Sequence, residues 1–174
     1  MQAGVKYIDA FGIKNLDLQL ESNRVRPFTY SHNDSIANYT HYNQPLAHPL
    51  GANFQEIIGI ARYQPAPKWL LLAKLFYWKQ GVDTSATVSY GSNIFLPNTL
   101  RNSNTGYHVG DGPLQAKTVI ASLLMSYELK QNLFIDLSAF FRKYDVAARP
   151  ALNMNTTVIS IGVRLNMDRR EFEF

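Results

Sequence analysis

Apolar and polar residues alternate with a period of two along most of this chain. In residues 15–27, Leu16, Leu18 and Leu20 are interleaved with Asp17, Gln19 and Glu21. In 69–80, Leu71, Ala73, Leu75 and Tyr77 share one side, with Lys74, Trp78 and Gln80 opposite. In 117–128, Val119, Ala121, Leu123, Met125 and Tyr127 alternate with Thr118, Ser122, Ser126 and Glu128. Residues 133–144 set Leu133, Ile135, Leu137, Ala139 and Phe141 against Asp136, Ser138 and Arg142. Residues 157–167 set Ile159, Ile161, Val163 and Leu165 against Ser160, Gly162, Arg164 and Asn166. Successive side chains of a strand point to opposite faces, so each segment predicts a strand with one apolar face. Residues 53–64 alternate less cleanly. Ile57, Gly59, Ala61 and Tyr63 form their apolar side, but Ile58 and Ile60 point the other way. Residues 4–10 read as the tail of a further strand, and no helical period of comparable length occurs.

The links between these segments alternate in length. Residues 28–52 and 82–115 are long, 65–68 and 129–132 are short, and 145–156 is intermediate. Outer-membrane β-barrels have short periplasmic turns and longer outer loops. The strands also reach the roughly 9–11 residues that a tilted transmembrane strand needs. Aromatic residues fall near their ends: Tyr63, Trp69 and Tyr127 on the short-turn side, and Tyr77, Trp78, Phe141 and Tyr144 on the long-loop side. Such rings suit a membrane interface. The expected fold is therefore all-β: an antiparallel up-and-down meander forming the C-terminal portion of a transmembrane β-barrel, with residues 1–174 as one domain. Six strands and part of a seventh are too few to close a single-chain barrel, since the smallest have about eight. Unpaired strand edges are not viable in lipid. The segment is expected to pair with further strands, with an export signal upstream, because MQAGVKYIDAFGI has no basic start followed by an apolar core. The competing readings are a soluble β-sandwich with a carbohydrate-binding or hydrolytic role, and a structural barrel that anchors other surface-machinery proteins.

Composition narrows the chemistry. There is no cysteine among 174 residues, which removes disulfides and thiol catalysis. The net charge of +4 comes from basic residues scattered along the strands. A nucleic-acid binder would gather them on one face or helix, so no nucleic-acid partner is expected. No apolar run is long enough for a transmembrane helix.

Residues 24–53, RVRPFTYSHNDSIANYTHYNQPLAHPLGAN, hold three of the four histidines: His32, His41 and His48. The stretches RVRPFTYSH and NYTHYNQPLAHPLGANF, with the strand ladder around them, resemble Bacteroidota outer-membrane barrels of the capsule-assembly Wzi type or the gliding-motility RemB type. The resemblance implies a large closed barrel in the bacterial outer membrane, a role in surface-polysaccharide attachment or cell-surface motility, and no enzyme activity. Its partners would be outer-membrane lipid, surface polysaccharide and the barrel-assembly machinery. A terminal Phe174 resembles the signal that this machinery reads, although Phe172 and Phe174 are out of phase with Ile159–Leu165 unless a bulge intervenes.

The same stretch carries the candidate site. Tyr30, Tyr39, Tyr42, His41, His48, Asn43 and Gln44 mix flat rings with hydrogen-bonding groups, which suits the C–H faces and hydroxyls of sugars. Arg24 and Arg26 would pair with uronate or phosphate groups. The expected glycan-binding set is Arg24, Arg26, Tyr30, His32, Tyr39, His41, Tyr42, Asn43 and His48. The bland alternative is that the tyrosines fold the loop and the arginines pair with Asp17 or Glu21. His32, Asp34, His41 and His48 match no established metal-ligand spacing, so neither a metal nor any other cofactor is expected. Pro27, Pro45 and Pro49 stiffen the loop, and Gly51 marks a turn into the next strand. No catalytic motif is found: GYHVGDGP lacks the Lys-Ser/Thr of a phosphate loop, and Asp17 with Glu21 reads as interior solvation.

Overall fold

The computed structural model describes residues 1–102 and 106–166. The terminal DRREFEF with Phe172 and Phe174, and Met167 at the end of the last predicted strand, lie outside the described residues. The fold is all-β. Its seven long strands are β1 (Gln2–Tyr7), β2 (Leu16–Val25), β5 (Phe54–Tyr63), β6 (Trp69–Val82), β7 (Leu114–Lys130), β8 (Leu133–Val146) and β9 (Met154–Leu165). They form one sheet in that order, each antiparallel to the next. Two short strands, β3 (Thr40–His41) and β4 (Gln44–Pro45), make a separate hairpin in the first long loop. The up-and-down meander predicted by the alternation is thus the observed architecture. At the loop end β6, β7 and β8 run two or three residues further than the alternation alone marks, because pairing continues above the apolar rows.

The register joins every apolar stripe into a single face. One row runs Val5, Leu20, Gly59, Leu75, Ala121 and Phe141. The next runs Tyr7, Leu18, Ala61, Ala73, Leu123, Ala139 and Ile159. Side chains alternate strictly along a strand, so this alignment requires the correct parity at all six ladders. Among the described residues no second layer covers this face. Leu75, Leu123 and Leu137 are exposed, and Ile161 on the edge strand is 77% exposed.

The buried residues lie elsewhere. Val25, Phe54, Ala116 and Val146 belong to the opposite face, where the strands meet the long loops. Val25, Ala52, Phe54 and Ile94 form one cluster, and Leu114, Ala116 and Val146 form another. The long loops therefore fold onto the face opposite the apolar one, and reach the other side only above Lys79, at Gly81. Two of the aromatic expectations change as a result. Trp78 and Tyr144 sit near the loop end but share the loop-covered face, since Trp78 is aligned with Glu56 and Thr118, and Thr118 with Tyr144. Tyr77 and Phe141 keep the apolar face. At the turn end, Trp69 and Tyr127 stack at 4.6 Å between centroids.

The close approach of loop to sheet depends on Gly81. A Cβ there would lie 2.1 Å from the Asp111 carbonyl oxygen and 2.3 Å from Asn53 Nδ2. Gly81→Ala is expected to lower stability by about 1–3 kcal/mol, the usual cost of overpacking. Gly162→Ala, which meets nothing within 4 Å, should leave the denaturation midpoint nearly unchanged. Equal midpoints for the two variants would contradict this account.

Candidate functional site

The links on either side of β5 and β6, residues 26–53 and 83–113, are built as one layer. Asn53 holds them together. It is fully buried and adopts a left-handed φ of 58°. Its Nδ2 donates to the carbonyls of Asp111 (2.8 Å), Tyr90 (3.1 Å) and Gly81 (3.4 Å), and its Oδ1 accepts from the Gly110 amide (2.7 Å). One amide side chain thus ties the start of β5 to the end of β6 and to two points of the second loop. Asn tolerates this backbone region, and its side chain carries an amide donor beside a carbonyl acceptor, a pairing that only Gln shares.

Two carboxylates organise the second loop. Asp83 Oδ2 accepts from the Asn93 amide at 2.7 Å, and its Oδ1 accepts from the Tyr90 amide. Asp111 Oδ2 accepts the amides of Gly106, Tyr107 and His108 at 3.0–3.1 Å. The His108 amide, aided by those of Gly106 and Tyr107, holds the Asp111 carboxyl below the usual carboxylate range against a smaller opposing effect of burial. Phe28 links the loops from the other side. Its amide donates to the Gly91 carbonyl at 3.2 Å, and the Arg101 guanidinium sits 4.3 Å above its ring. Gly91 is required here, with φ +81° and a built Cβ only 2.6 Å from the Phe28 nitrogen.

The expected glycan-binding residues separate into three groups. Arg24, Arg26 and Tyr30 line one shallow depression with Met1, Val25 and Thr29. Tyr39 stacks on Tyr30, 5.9 Å between centroids. His41, Tyr42 and Asn43 form the tip of the β3–β4 hairpin. Tyr42 and Asn43 both have positive φ, 47° and 57°, as a two-residue turn of this hand requires. Asn suits that position; a tyrosine is unusual there. The Tyr42 ring is 89% exposed and meets the His41 ring edge-on at 4.3 Å. His32 and His48 belong to the third group and serve the loop itself. The His32 carbonyl accepts from the Asn98 amide at 2.8 Å. His48 Nε2 lies 3.1 Å from Glu56 Oε2, and its ring packs on Phe54. Asn23 Nδ2 donates to the same Glu56 oxygen at 2.9 Å.

The arginines do not pair with Asp17 or Glu21. Lys6 Nζ approaches Asp17 Oδ2 at 3.8 Å instead, and Gln19 Nε2 donates to Glu21. The reason is parity: Arg24 is two residues beyond Ser22 on the apolar-face side, whereas Asp17 and Glu21 share the other face. Among the described residues no three His, Asp or Glu side chains converge as metal ligands; Asp34 instead accepts from the Ile36 amide at 2.9 Å. Asn53, Asp83, Asp111 and Phe28 were not singled out by sequence. The one local hint was Asn53, an Asn directly before a strand.

A depression on the sheet lies over small residues of the apolar face, among them Gly59, Ala61, Ala73 and Ala121, and offers little to a polar ligand. The polar, ring-lined surface is the loop layer. Comparison with protein-family models, curated proteins and solved structures finds no match.

Asn53→Ala should strand three carbonyls and one amide, at about 1–3 kcal/mol for each group left unsatisfied. Hydrogen exchange should then rise across both loops while β7 and β8 stay protected. The Asp111 cap has a pH signature. Its carboxyl is depressed in the folded protein, so its contribution is complete above the unfolded value near 3.8 and disappears as pH falls through the lower folded one. Amide protection at Gly106, Tyr107 and His108 should therefore persist at pH 4 and fail only at more acid pH. Loss of protection near pH 6 would assign the cap to another group.

Proposed function

We propose that this chain forms part of the wall of an outer-membrane β-barrel, and that its loops bind surface polysaccharide in capsule attachment or gliding motility. The observation that carries the barrel is the distribution of charge. From the Phe141 row to the Tyr127 row, the outward face bears, among the described residues, no ionisable group other than tyrosine. Lys6, Asp17, Glu21, Glu56, Arg62, Lys74, Glu128, Asp136, Arg142 and Arg164 all fall on the opposite face. An uncovered apolar sheet face seven strands wide is far larger than the few hundred Å² that soluble monomers expose. Hydrocarbon is the solvent in which such a face is stable. From Trp69 to Tyr77 the outward face spans eight residue steps, roughly 27 Å along the strand. Tilted as in a barrel, this approaches the apolar band of about 25 Å.

The sheet edges support closure by further strands. Every residue of β1 and β9 is exposed, and open edges are not tolerated in hydrocarbon. The loops fold over the face that would line the lumen, leaving the Tyr30–Tyr39 pair, Arg26 and the His41–Tyr42–Asn43 tip at the mouth. Flat rings beside guanidinium groups suit an acidic polysaccharide. The capsule or gliding reading draws on the resemblance carried by residues 24–54 and the strand ladder around them.

Leu123→Arg, in the middle of the outward face, should destabilise the detergent- or bilayer-folded protein by about 2–4 kcal/mol. Gln19→Arg, at similar depth but on the opposite face, should be close to neutral. The folded protein should also show heat-modifiable gel mobility. Equal tolerance of both arginines would sink the membrane reading. For the loops, a glycan array should give binding to uronate-bearing polymers that falls at least tenfold in Arg26→Ala and Tyr42→Ala. Binding unaffected by both would leave a barrel without this glycan site.

A further inference from the structure

The outward face does not end in apolar residues at its loop end. It ends in cations. The row above Ile57, Tyr77 and Val119 reads Arg24, Gln55, Lys79, Lys117 and Asp145 across β2, β5, β6, β7 and β8. Lys143, opposite Val119, lies one row nearer the turns and diagonal to Lys117. Arg24, Lys79, Lys117 and Lys143 are all exposed. Among the described residues none of the four has an ion-pair partner, and Asp145 is the sole carboxylate in the row. The turn end of the same face has no counterpart. There the last outward residues are Tyr63, Trp69, Tyr127, Leu133 and Leu165, with Lys130, paired with Leu133 beyond the irregularity, as a single cation at the turn.

Lys79 and Lys117 are directly opposite one another in the ladder. Like charges at this position are destabilising, with Cβ atoms only about 4.5–5.5 Å apart. A third cation, Lys143, lies at the diagonal, while Asp145, directly opposite Lys117 but not in an ion pair with it, offsets one charge of the three in part. Backbone pairing that the rest of the sheet dictates fixes the lysine stems side by side, so the ammonium groups can relieve the repulsion only by splaying apart. An anion shared between them would turn the repulsion into attraction. The position of the row identifies the kind of anion. It borders the apolar face at one abrupt step, Tyr77 to Lys79 and Val119 to Lys117, on the side that faces away from the loop layer.

We propose that this row binds the phosphate groups of anionic lipid headgroups in the leaflet nearest the loops, fixing the depth and orientation of the sheet in the membrane. The proposal rests on the membrane reading above. Ammonium groups on flexible stems reach outward from the rim and meet phosphates at the boundary between headgroup and hydrocarbon. Tyr77 and Phe141, just below, occupy the interface beside them. At the other end the Trp69–Tyr127 pair anchors the sheet without charge, so the two leaflets are read differently.

Quenching of a tryptophan by brominated lipids tests this directly on the full-length protein reconstituted in vesicles, with any tryptophan outside residues 1–174 replaced by phenylalanine. One reporter is Tyr77→Trp in a Trp69→Phe, Trp78→Phe background; the other is native Trp69 in Trp78→Phe. Vesicles contain dibromo-phosphatidylcholine or dibromo-phosphatidylglycerol diluted in unbrominated phosphatidylcholine. At position 77, phosphatidylglycerol should be preferred by roughly threefold or more, and the preference should shrink at high salt. At Trp69 the two lipids should quench equally. Lys79→Gln/Lys117→Gln/Lys143→Gln should abolish the preference at 77, while Lys79→Arg/Lys117→Arg/Lys143→Arg should retain it. Heat-modifiable mobility confirms that each variant is folded, and the single variant Lys117→Gln, with a reduced preference, serves if the triple one is not. Equal quenching by both lipids at 77, or a preference that survives the triple Gln variant, overturns the proposal. Exclusion of both lipids from 77 while Trp69 is quenched also overturns it, and would mean that protein covers the row. If neither reporter is quenched by any lipid, the membrane reading itself fails.

Discussion

Strand register is the constraint on which the other features of this sheet depend. A slip of one residue in any of the six ladders would turn that strand's leucines and valines to the polar side and its charges to the apolar side. The penalty is collective, since several apolar side chains at about 1.5–3 kcal/mol each would change solvent at once. The irregularity between Glu128 and Lys130 in the β7–β8 ladder falls beyond Tyr127. Parity is therefore intact throughout the apolar rows, and the chain departs from it only where the strand is already turning. Asn132, with φ 64°, takes the left-handed position that closes this hairpin.

Register also decides where the loops can go. The first residues above the apolar rows on the loop-covered side are Val25, Phe54 and Ala116, and they are buried because the loops supply the missing layer. On the other side of the same backbone, one residue away, Arg24, Lys79 and Lys117 remain exposed. A two-faced rim is thus produced by single-residue alternation: apolar or amide groups inward to receive the loops, and cations outward. Asn53 closes the rim one row higher, against Gly81, which shares the side of Lys79. Its four hydrogen bonds fix the second loop against the first in a chain that has no disulfide to do so, and the glycines at 81 and 91 give the room that this contact needs.

Much of this was legible in the sequence. The strands, their apolar sides and the alternation of long and short links follow from period two and from turn residues, both of which are local. The less regular alternation of residues 53–64 was legible too, because Ile58 and Ile60 do lie opposite Ile57 and Gly59. What local patterns cannot give is long-range partnership. His48 reads as a free ring in a polar loop, but Glu56 and Phe54 claim it once β5 pairs with β2. Arg24 reads as one of a pair with Arg26, yet strand parity places it on the outward face. Asn53 looks like any residue before a strand, since its partners at Gly81, Tyr90, Gly110 and Asp111 are 28 to 58 residues distant. Trp78 beside Tyr77 shows the same limit at short range: nearness in sequence gave the height along the strand and not the side.

The two faces are not told apart by their apolar residues, because both have many. The loop-covered face carries Ile58, Ile60, Leu72, Phe76, Ile120, Leu124 and Phe140 among its charges. The distinction lies in whether charge occurs at all, and in how it is held. Near the turn end, Arg164 Nε donates to Asp136 Oδ2 at 2.8 Å and Nη2 donates to Ser126 Oγ at 3.2 Å, while the guanidinium lies 4.2 Å over the Phe134 ring. Near the loop end, Glu56 is shared by Asn23 and His48. Between these two networks the middle of the face mixes aliphatic and aromatic side chains with Lys6, Asp17, Glu21, Arg62, Lys74 and Arg142. A wide water-filled lumen would leave those apolar side chains hydrated, and a free aqueous wall would have no need of charges tied into pairs. Under the membrane reading proposed above, a face of this mixed kind would line an interior partly filled by side chains beneath the loop layer.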